Sequence, residues 1–273
     1  MKPVAFSHLR ADTAEAAAKA LGQGAKILAG GQSLGPMLNL RLARPEALVG
    51  VSRLPGLSEI REARDRIVIG AGVTHARIED GADAIALPPM MRHVARGIAY
   101  RAVRNKGTIG GSLAHADPAA DWLSCLTALD AGLVLQDATG KDRRVPIAGF
   151  MLGAYRTVLA PEDILTGIEI HPRMRVALWG YDKACRKVGE FADAIGALVV
   201  HPDSGFIRLV AGATGGPPLI LTELGAEIAA SARHPGRNAV RAALSARLTD
   251  ADDVKLHLLT TALCRAIEKV LPA

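Results

Sequence analysis

The chain alternates short apolar runs with longer stretches of helical composition, and glycine or proline separates most of them. The apolar runs predict strands at residues 26–29, 48–51, 66–72, 133–136, 144–147, 162–170, 195–201 and 206–211. The longer stretches predict helices at residues 12–24, 74–78, 88–104, 122–131, 221–232 and 252–270. Because strands and helices are mixed without a regular βαβ alternation, the pattern predicts an α+β fold.

Turn chemistry supports several of these boundaries. Thr13 is a suitable N-cap for the first helix. Thr139 and Gly140 lie between the strands at 133–136 and 144–147, which predicts a hairpin. The pattern changes after residues 172–175, which contain a proline and two arginines and are the best linker candidate. Residues 105–121 are polar and glycine-rich, and they predict a loop.

Composition narrows the classes of protein. Apolar residues make up 49% of the 273 residues and charged residues 22%, as in ordinary globular proteins, while aromatics are only 3%. The net charge is +6, but arginine and lysine are spread along the chain without a basic stripe, which argues against nucleic acid. No apolar run is long enough to span a bilayer and no signal peptide is evident, so we expect a cytoplasmic protein without membrane insertion.

The cysteines predict no metal centre. Cys125, Cys185 and Cys264 are widely scattered, and none has a neighbouring cysteine at metal-ligand spacing. An iron–sulfur cluster needs several cysteine ligands, so the chain is not expected to hold one by itself. Reduced, partly buried thiols are the simplest interpretation.

Two glycine segments are the candidate binding elements. The first glycine loop, residues 29–34, follows a predicted strand and reads AGGQSL; it has neither the spaced glycines of a dinucleotide fingerprint nor a Walker lysine. Taken alone, it is more often just a turn. The second glycine segment, residues 107–121, combines glycines, hydroxyls and two carboxylates, and it fits a binding loop and a surface loop equally well. Glycines let backbone N–H groups approach an anion closely.

These motifs resemble the FAD-binding medium subunits of the xanthine dehydrogenase and carbon monoxide dehydrogenase family, the molybdenum hydroxylases. The resemblance is carried by AGGQSL and TIGGSLAHADPAAD in that order. It extends to further segments at residues 39–46, 103–107, 180–192 and 207–217, and thus covers nearly the whole chain. The sequence departs from the family pattern at Tyr100, at Glu190 and at the pair Val254-Lys255.

The resemblance implies a two-lobed FAD-binding domain of the PCMH-like type at residues 1–172, with lobes at about 1–55 and 56–172. A small C-terminal domain of antiparallel sheet and helices follows at 173–273. The implied cofactor-binding residues are Ala29, Gly30, Gly31, Gln32, Ser33, Leu34, Thr108, Gly110, Gly111, Ser112, Asp117, Asp121, Leu165 and Lys183. Both glycine segments would close on the FAD pyrophosphate. Asp121 would accept a hydrogen bond from a ribityl or ribose hydroxyl, and Leu165 and Lys183 would lie near the flavin.

The implied function is electron transfer without a catalytic residue or metal ligand on this chain. A large subunit would hold molybdopterin and a small subunit the 2Fe-2S clusters, in a dimer of heterotrimers that serves an external electron acceptor. Relatives handle aldehydes, carbon monoxide, purines and N-heterocycles. Gln32 stands where some distant flavoprotein oxidases place a flavin-bonding histidine, so the FAD is expected to be non-covalent.

Two other functions compete with this interpretation. A free-standing flavin oxidoreductase would bind its own small organic substrate, usually under a larger cap domain than the C-terminal part offers. A nucleotide-binding or assembly module would have no redox role. His115 is expected to brace the second glycine segment through a hydrogen bond, and a titrating role near the flavin is the alternative.

Overall fold

The first part of the chain folds as a small parallel sheet with short helices. The computed structural model describes residues 2–52 and 54–271. The elements of this part are β1 (Ser7–Arg10), α1 (Ala14–Gly22), β2 (Lys26–Leu28), α2 (Leu34–Asn39) and β3 (Ala47–Gly50). The strands lie in the order β1-β3-β2, and both pairs are parallel. The hydroxyl of Thr13 accepts a hydrogen bond from Ala16 N–H, which confirms the predicted cap of α1.

The middle of the chain forms an antiparallel sheet that is packed against helices. Its elements are β4 (Ile60–Ala63), β5 (Arg66–Gly70), α3 (His75–Asp80), α4 (Pro89–Arg96), α5 (Arg101–Arg104), α6 (Ile109–His115), α7 (Asp121–Ala128), β6 (Gly132–Gln136), β7 (Asp142–Pro146), β8 (Met151–Gly153), β9 (Arg156–Thr157) and β10 (Ile164–Ile170). The main sheet has the order β4-β5-β10-β6-β7. The hairpin β6–β7 confirms the turn that was predicted at Thr139 and Gly140.

Two predictions in this region are wrong. The helix predicted at 88–104 is broken after α4, because Ala99 has a left-handed backbone and donates its N–H to the carbonyl of Gly189. The second glycine segment, predicted as a loop, contains the helix α6. Its N-cap is Thr108, whose hydroxyl accepts the N–H of Gly111.

The C-terminal part is an antiparallel sheet covered by helices on one face. Its elements are β11 (Leu178–Ala184), β12 (Ala194–His201), β13 (Phe206–Gly212), β14 (Leu219–Ile220), α8 (Thr222–Ser231), α9 (Arg237–Ser245) and α10 (Asp253–Glu268). The strands follow one another in the order β11-β12-β13-β14. The strands predicted at 195–201 and 206–211 and the last helix are confirmed, whereas α9 and β11 were not predicted.

One core joins the middle of the chain to the start of the C-terminal part. The largest cluster of buried apolar side chains includes Ile69 of β5 and Val199 of β12. Met174, in the predicted linker, is buried in the same cluster, so these residues pack as core, and the domain boundary near residue 172 stays a prediction. The mixture of helices and antiparallel sheets confirms the α+β class. Within the described ranges, no helix combines the length and the apolar character that a membrane crossing requires.

Candidate flavin site

The two glycine segments lie in direct contact. A Cβ atom on Gly30 would lie 2.0 Å from the carbonyl oxygen of Lys106, so the first glycine loop crosses the start of the second segment at backbone distance. A Cβ on Gly111 would lie 3.6 Å from the Cβ of Ala29. Segments far apart in sequence are thus brought to one place by close backbone packing.

The first glycine loop leaves its backbone donors uncommitted. Within residues 2–52 and 54–271, the N–H groups of Gly31, Gln32 and Ser33 donate to no protein acceptor. The amide of Gln32 donates to the carbonyl of Gly30 at 3.0 Å, which holds the loop in shape. Ser33 is the N-cap residue of α2, yet its hydroxyl makes no capping bond. Consecutive free N–H groups next to a free hydroxyl form a site for an anion such as a phosphate.

The second glycine segment commits its backbone donors to the protein. The N–H groups of Ile109 and Gly110 donate to the carbonyls of Val73 and Ala71, at 3.0 and 2.9 Å. Those of Gly111 and Ser112 donate to the hydroxyl and the carbonyl of the capping threonine. Among residues 108–112, the hydroxyl of Ser112 and the N–H of Thr108 have no partner in the described ranges, and the hydroxyl of Thr108 accepts one hydrogen bond. Gly110 itself is a packing residue, since its Cβ would lie 2.4 Å from the Cβ of Ala71.

A buried pair of rings, His75 and Trp122, packs against the second glycine segment. Trp122 donates its indole N–H to Nδ1 of His75 at 3.0 Å, and both side chains are buried. The ring of His75 packs under Gly107, where a Cβ would lie 2.8 Å from Nε2. Burial, with a smaller contribution from the Arg104 guanidinium, lowers the pKa of His75 from 6.5 to about 4. The imidazole is therefore neutral at physiological pH and accepts the indole proton.

Asp121 lies in a buried network at the far end of the second segment. Its Oδ1 accepts the hydroxyl of Tyr181 at 2.7 Å, and its Oδ2 accepts Nζ of Lys183 at 2.9 Å. The Lys183 ammonium also donates to the carbonyl of Gly97 at 3.3 Å. Burial raises the pKa of Asp121, and the neighbouring ammonium acts against that rise. The two predicted residues Asp121 and Lys183 thus form an ion pair in which the side chains are 6% and 11% exposed.

The remaining predicted residues differ in their burial and in the contacts that they make. Asp117 accepts the backbone N–H of Ala119 and the hydroxyl of Tyr155. Leu165 is buried in β10, next to an irregularity in its pairing with β6. The ring of His115 lies against Tyr155 with centroids 5.2 Å apart. The hydrogen bond expected of His115 is absent from the described part of the chain, where the ring packs against an aromatic neighbour.

The structure therefore brings the predicted residues into two groups, one where the glycine segments meet and one at the Asp121–Lys183 pair, and it adds others. Tyr181 and the pair of His75 and Trp122 were not predicted as parts of the site. Tyr181 precedes Lys183 by two positions on β11, so both side chains point to one face of the strand. A strand predicted at residues 178–184 would have placed Tyr181 beside Lys183, but the sequence analysis did not predict that strand. Tyr100 is 71% exposed, and Glu190 pairs with Arg186 at the surface.

Comparisons with known proteins give the same family throughout. The family model described as FAD binding domain in molybdopterin dehydrogenase matches residues 4–173. The carbon monoxide dehydrogenase medium chain of Hydrogenophaga pseudoflava is 40% identical over 185 residues, which are 68% of this chain and 64% of that protein. The glyceraldehyde dehydrogenase medium chain of Sulfolobus acidocaldarius is 35% identical over 218 residues, 79% of this chain and 77% of that one.

Solved structures extend the likeness to the whole chain. A chain of the H. pseudoflava carbon monoxide dehydrogenase that lacks the Mo-pyranopterin moiety of its cofactor has a TM-score of 0.87 at 33% identity. This match covers 99% of the present chain and 98% of the other. The fold and the glycine segments define a flavoprotein component of a molybdenum-dependent dehydrogenase. The chain belongs to the FAD-binding medium subunits of the molybdenum hydroxylases. In such complexes the molybdenum and iron–sulfur cofactors belong to other subunits.

Proposed function

We propose that this chain is the flavin relay of a multi-subunit molybdenum hydroxylase. It would take electrons from 2Fe-2S clusters on a small partner subunit and deliver them to an external acceptor. The observation that carries the proposal is the contact between the two glycine segments at Gly30 and Gly111, together with the N–H groups of the first glycine loop that donate to no acceptor in the described ranges. This donor set fits a diphosphate ester.

The residues present fit FAD. The N–H groups of Gly31, Gln32 and Ser33 would bind the pyrophosphate from one side, with Ala29, Gly30 and Leu34 shaping the loop. Thr108 and Ser112 would add hydroxyls from the other side. Gly111 would let the second segment approach Ala29 of the first glycine loop, and Gly110 would hold the second segment against Ala71. When bound, the flavin supplies the chemistry of accepting and releasing electrons one or two at a time.

The buried network would meet the flavin end of the cofactor. Lys183 has one N–H left after its bonds to Asp121 and Gly97, and a positive charge near a flavin ring stabilises its reduced, negatively charged state. We further propose that Leu165 lies near the flavin and Asp117 near a hydroxyl of the cofactor. Because Gln32 cannot bond covalently to a flavin, the FAD is non-covalent. No residue of this chain is proposed as a catalytic acid or base.

The proposed partners follow from the family. A large subunit would hold the molybdopterin and oxidise the substrate, and a small subunit would hold the clusters, in a dimer of heterotrimers. The relatives are named for carbon monoxide and glyceraldehyde as substrates, and the choice for this complex would lie in its large subunit. A cytoplasmic location stays a prediction.

The test measures flavin and electron flow in the same preparation. Acid precipitation of the purified chain should leave its FAD in the supernatant, since nothing bonds it covalently. Rapid mixing with a reduced 2Fe-2S small subunit should bleach the flavin absorbance, whereas aldehydes or N-heterocycles alone should not. A chain that oxidises such donors by itself would instead be a free-standing flavin oxidoreductase. A chain without flavin absorbance would be a nucleotide-binding module.

A further inference from the structure

Lys183 belongs to a buried hydrogen-bonded network with Asp121 and Tyr181. Its ammonium contacts the carboxylate of Asp121 at 2.9 Å, and the same carboxylate accepts the hydroxyl of Tyr181 at 2.7 Å. Tyr181 and Lys183 lie two positions apart on β11, so both approach Asp121 from one face of the strand. Asp121 is the first residue of α7, a position where a negative charge is favoured by the helix.

The burial of this network makes its charges interdependent. A single ionised group in such a place is costly, and removing one partner of a buried pair leaves the other uncompensated. With Asp121 ionised, the pair carries no net charge, and the field that Lys183 exerts on a nearby ligand is reduced. The hydroxyl of Tyr181 favours the ionised form of the carboxylate, because a hydrogen bond to a charged oxygen stabilises it.

We infer that Asp121 and Tyr181 are positioning residues that hold Lys183 and attenuate its charge, and thereby set the reduction potential of the bound flavin. The inference rests on the proposed placement of the flavin beside Lys183. Two electrons and one proton added to the oxidised ring leave one negative charge on it. Lys183 stabilises that charge, and the carboxylate of Asp121 opposes the stabilisation. The two residues of the ion pair therefore act on the potential in opposite directions.

A purely structural role makes a different prediction. If the pair only held β11 against α7, loss of either partner would lower stability and weaken both oxidised and reduced FAD alike. If it tunes the charge, the variants Asp121→Asn and Lys183→Gln would change the ratio of the two affinities with opposite signs. The opposite signs cannot arise from loosened packing alone.

The experiment measures the dissociation constants of oxidised and reduced FAD from the full chain. Asp121→Asn should raise the preference for reduced FAD about tenfold, which is about 30 mV for a two-electron couple. Lys183→Gln should lower that preference by a similar factor, and the double variant should lie near the wild type. Tyr181→Phe should also raise the preference for reduced FAD, but only about threefold. The lost hydrogen bond destabilises the ionised form of the carboxylate but leaves the carboxylate in place.

A matched control is available in the same chain. Tyr155→Phe removes a hydroxyl that also donates to an aspartate, Asp117, at 3.2 Å, but this bond is not connected to Lys183. It should leave the ratio of the two affinities unchanged. If Asp121→Asn does not fold, Tyr181→Phe and the double variant decide the question.

The outcomes separate this inference from the proposed function. If Lys183→Gln leaves both affinities at the wild-type values, the flavin does not lie beside Lys183, and the proposed placement is overturned. If Lys183→Gln lowers the preference but Asp121→Asn lowers it too or leaves it unchanged, the placement stands and the tuning role of Asp121 is overturned. Opposite shifts that cancel in the double variant support the inference.

Discussion

The two glycine segments look alike in sequence but differ in what their backbones do. In the first glycine loop, the N–H groups of Gly31, Gln32 and Ser33 are free within the described ranges. In the second glycine segment, the N–H groups of residues 109–112 are bonded to the protein. A glycine-rich sequence thus leaves backbone donors uncommitted in one case and bonds them to the protein in the other.

The contrast shows that some glycines of these segments are required for packing and not for binding a ligand. Gly30 and Gly110 lack a side chain because another backbone passes where a Cβ would be. A glycine motif at a candidate phosphate site is therefore not evidence that every glycine in it would contact the phosphate.

The largest effect is expected from adding a Cβ at either packing glycine. Gly30→Ala and Gly110→Ala should each lower the free energy of unfolding of the FAD-free chain by about 3 kcal/mol, because the neighbouring backbone must shift. Both variants should also lose FAD. Urea unfolding of the FAD-free chain measures the change in the free energy of unfolding directly.

The control is a glycine with free space around it. At Gly149 no atom of the described chain beyond its immediate neighbours in sequence lies within 4 Å of an added Cβ, so Gly149→Ala should change the free energy of unfolding by less than about 1 kcal/mol. Unchanged stability in Gly30→Ala would mean that the two glycine segments do not pack as described, and in Gly110→Ala that the second segment does not pack against Ala71.

A smaller effect depends on pH and concerns the brace under the second segment. The unfolded chain protonates His75 near pH 6.5, whereas the folded chain does so near pH 4. Stability from the neutral imidazole is therefore complete above pH 6.5 and is lost as the pH falls towards 4. The loss is about 2 kcal/mol at pH 5, since each unit is worth about 1.4 kcal/mol.

His75→Asn keeps an acceptor for the Trp122 indole but does not titrate. Chemical denaturation between pH 7.5 and 5 should show a flatter decline in this variant than in the wild type. His8→Asn, on the exposed strand β1, should decline like the wild type. Equal slopes in His75→Asn and wild type would show that the imidazole is not buried in its neutral form.

The smallest effects separate the hydroxyls of Thr108 and Ser33, which lie close in sequence to the two glycine pairs. Thr108→Ala removes the cap of α6 and should cost about 1 kcal/mol of unfolding free energy, while Thr108→Ser should restore it. Ser33→Ala should leave stability within about 0.5 kcal/mol but weaken FAD binding about tenfold, through one lost charge-assisted hydrogen bond. Titration of FAD into each apoprotein completes the comparison. A stability loss in Ser33→Ala would contradict the free hydroxyl.

The features that the sequence predicted depend on neighbouring residues. The cap at Thr13 and the turn at Gly140 are local, and both are confirmed. The family, and with it FAD, followed from the order and spacing of the two glycine segments. The position of the segments side by side was implied by that resemblance and is now seen as a backbone contact at Gly30.

The features that were missed depend on residues far apart in the chain. The helix predicted at 88–104 breaks because Ala99 pairs with Gly189, a contact that no local pattern encodes. Lys183 meets Asp121 across 62 positions. The helix α6 was missed because its glycines favour a loop locally, and its backbone is held instead by the carbonyls of Ala71 and Val73.

The most direct test of the account is residue-resolved hydrogen exchange of the full chain with and without FAD. Free N–H groups exchange rapidly until a ligand binds them. FAD should slow exchange at Gly31, Gln32 and Ser33 by at least about tenfold, while residues 109–112 should already exchange slowly without the cofactor. Protection by FAD that appears at residues 109–112 and not at the first glycine loop would contradict the account.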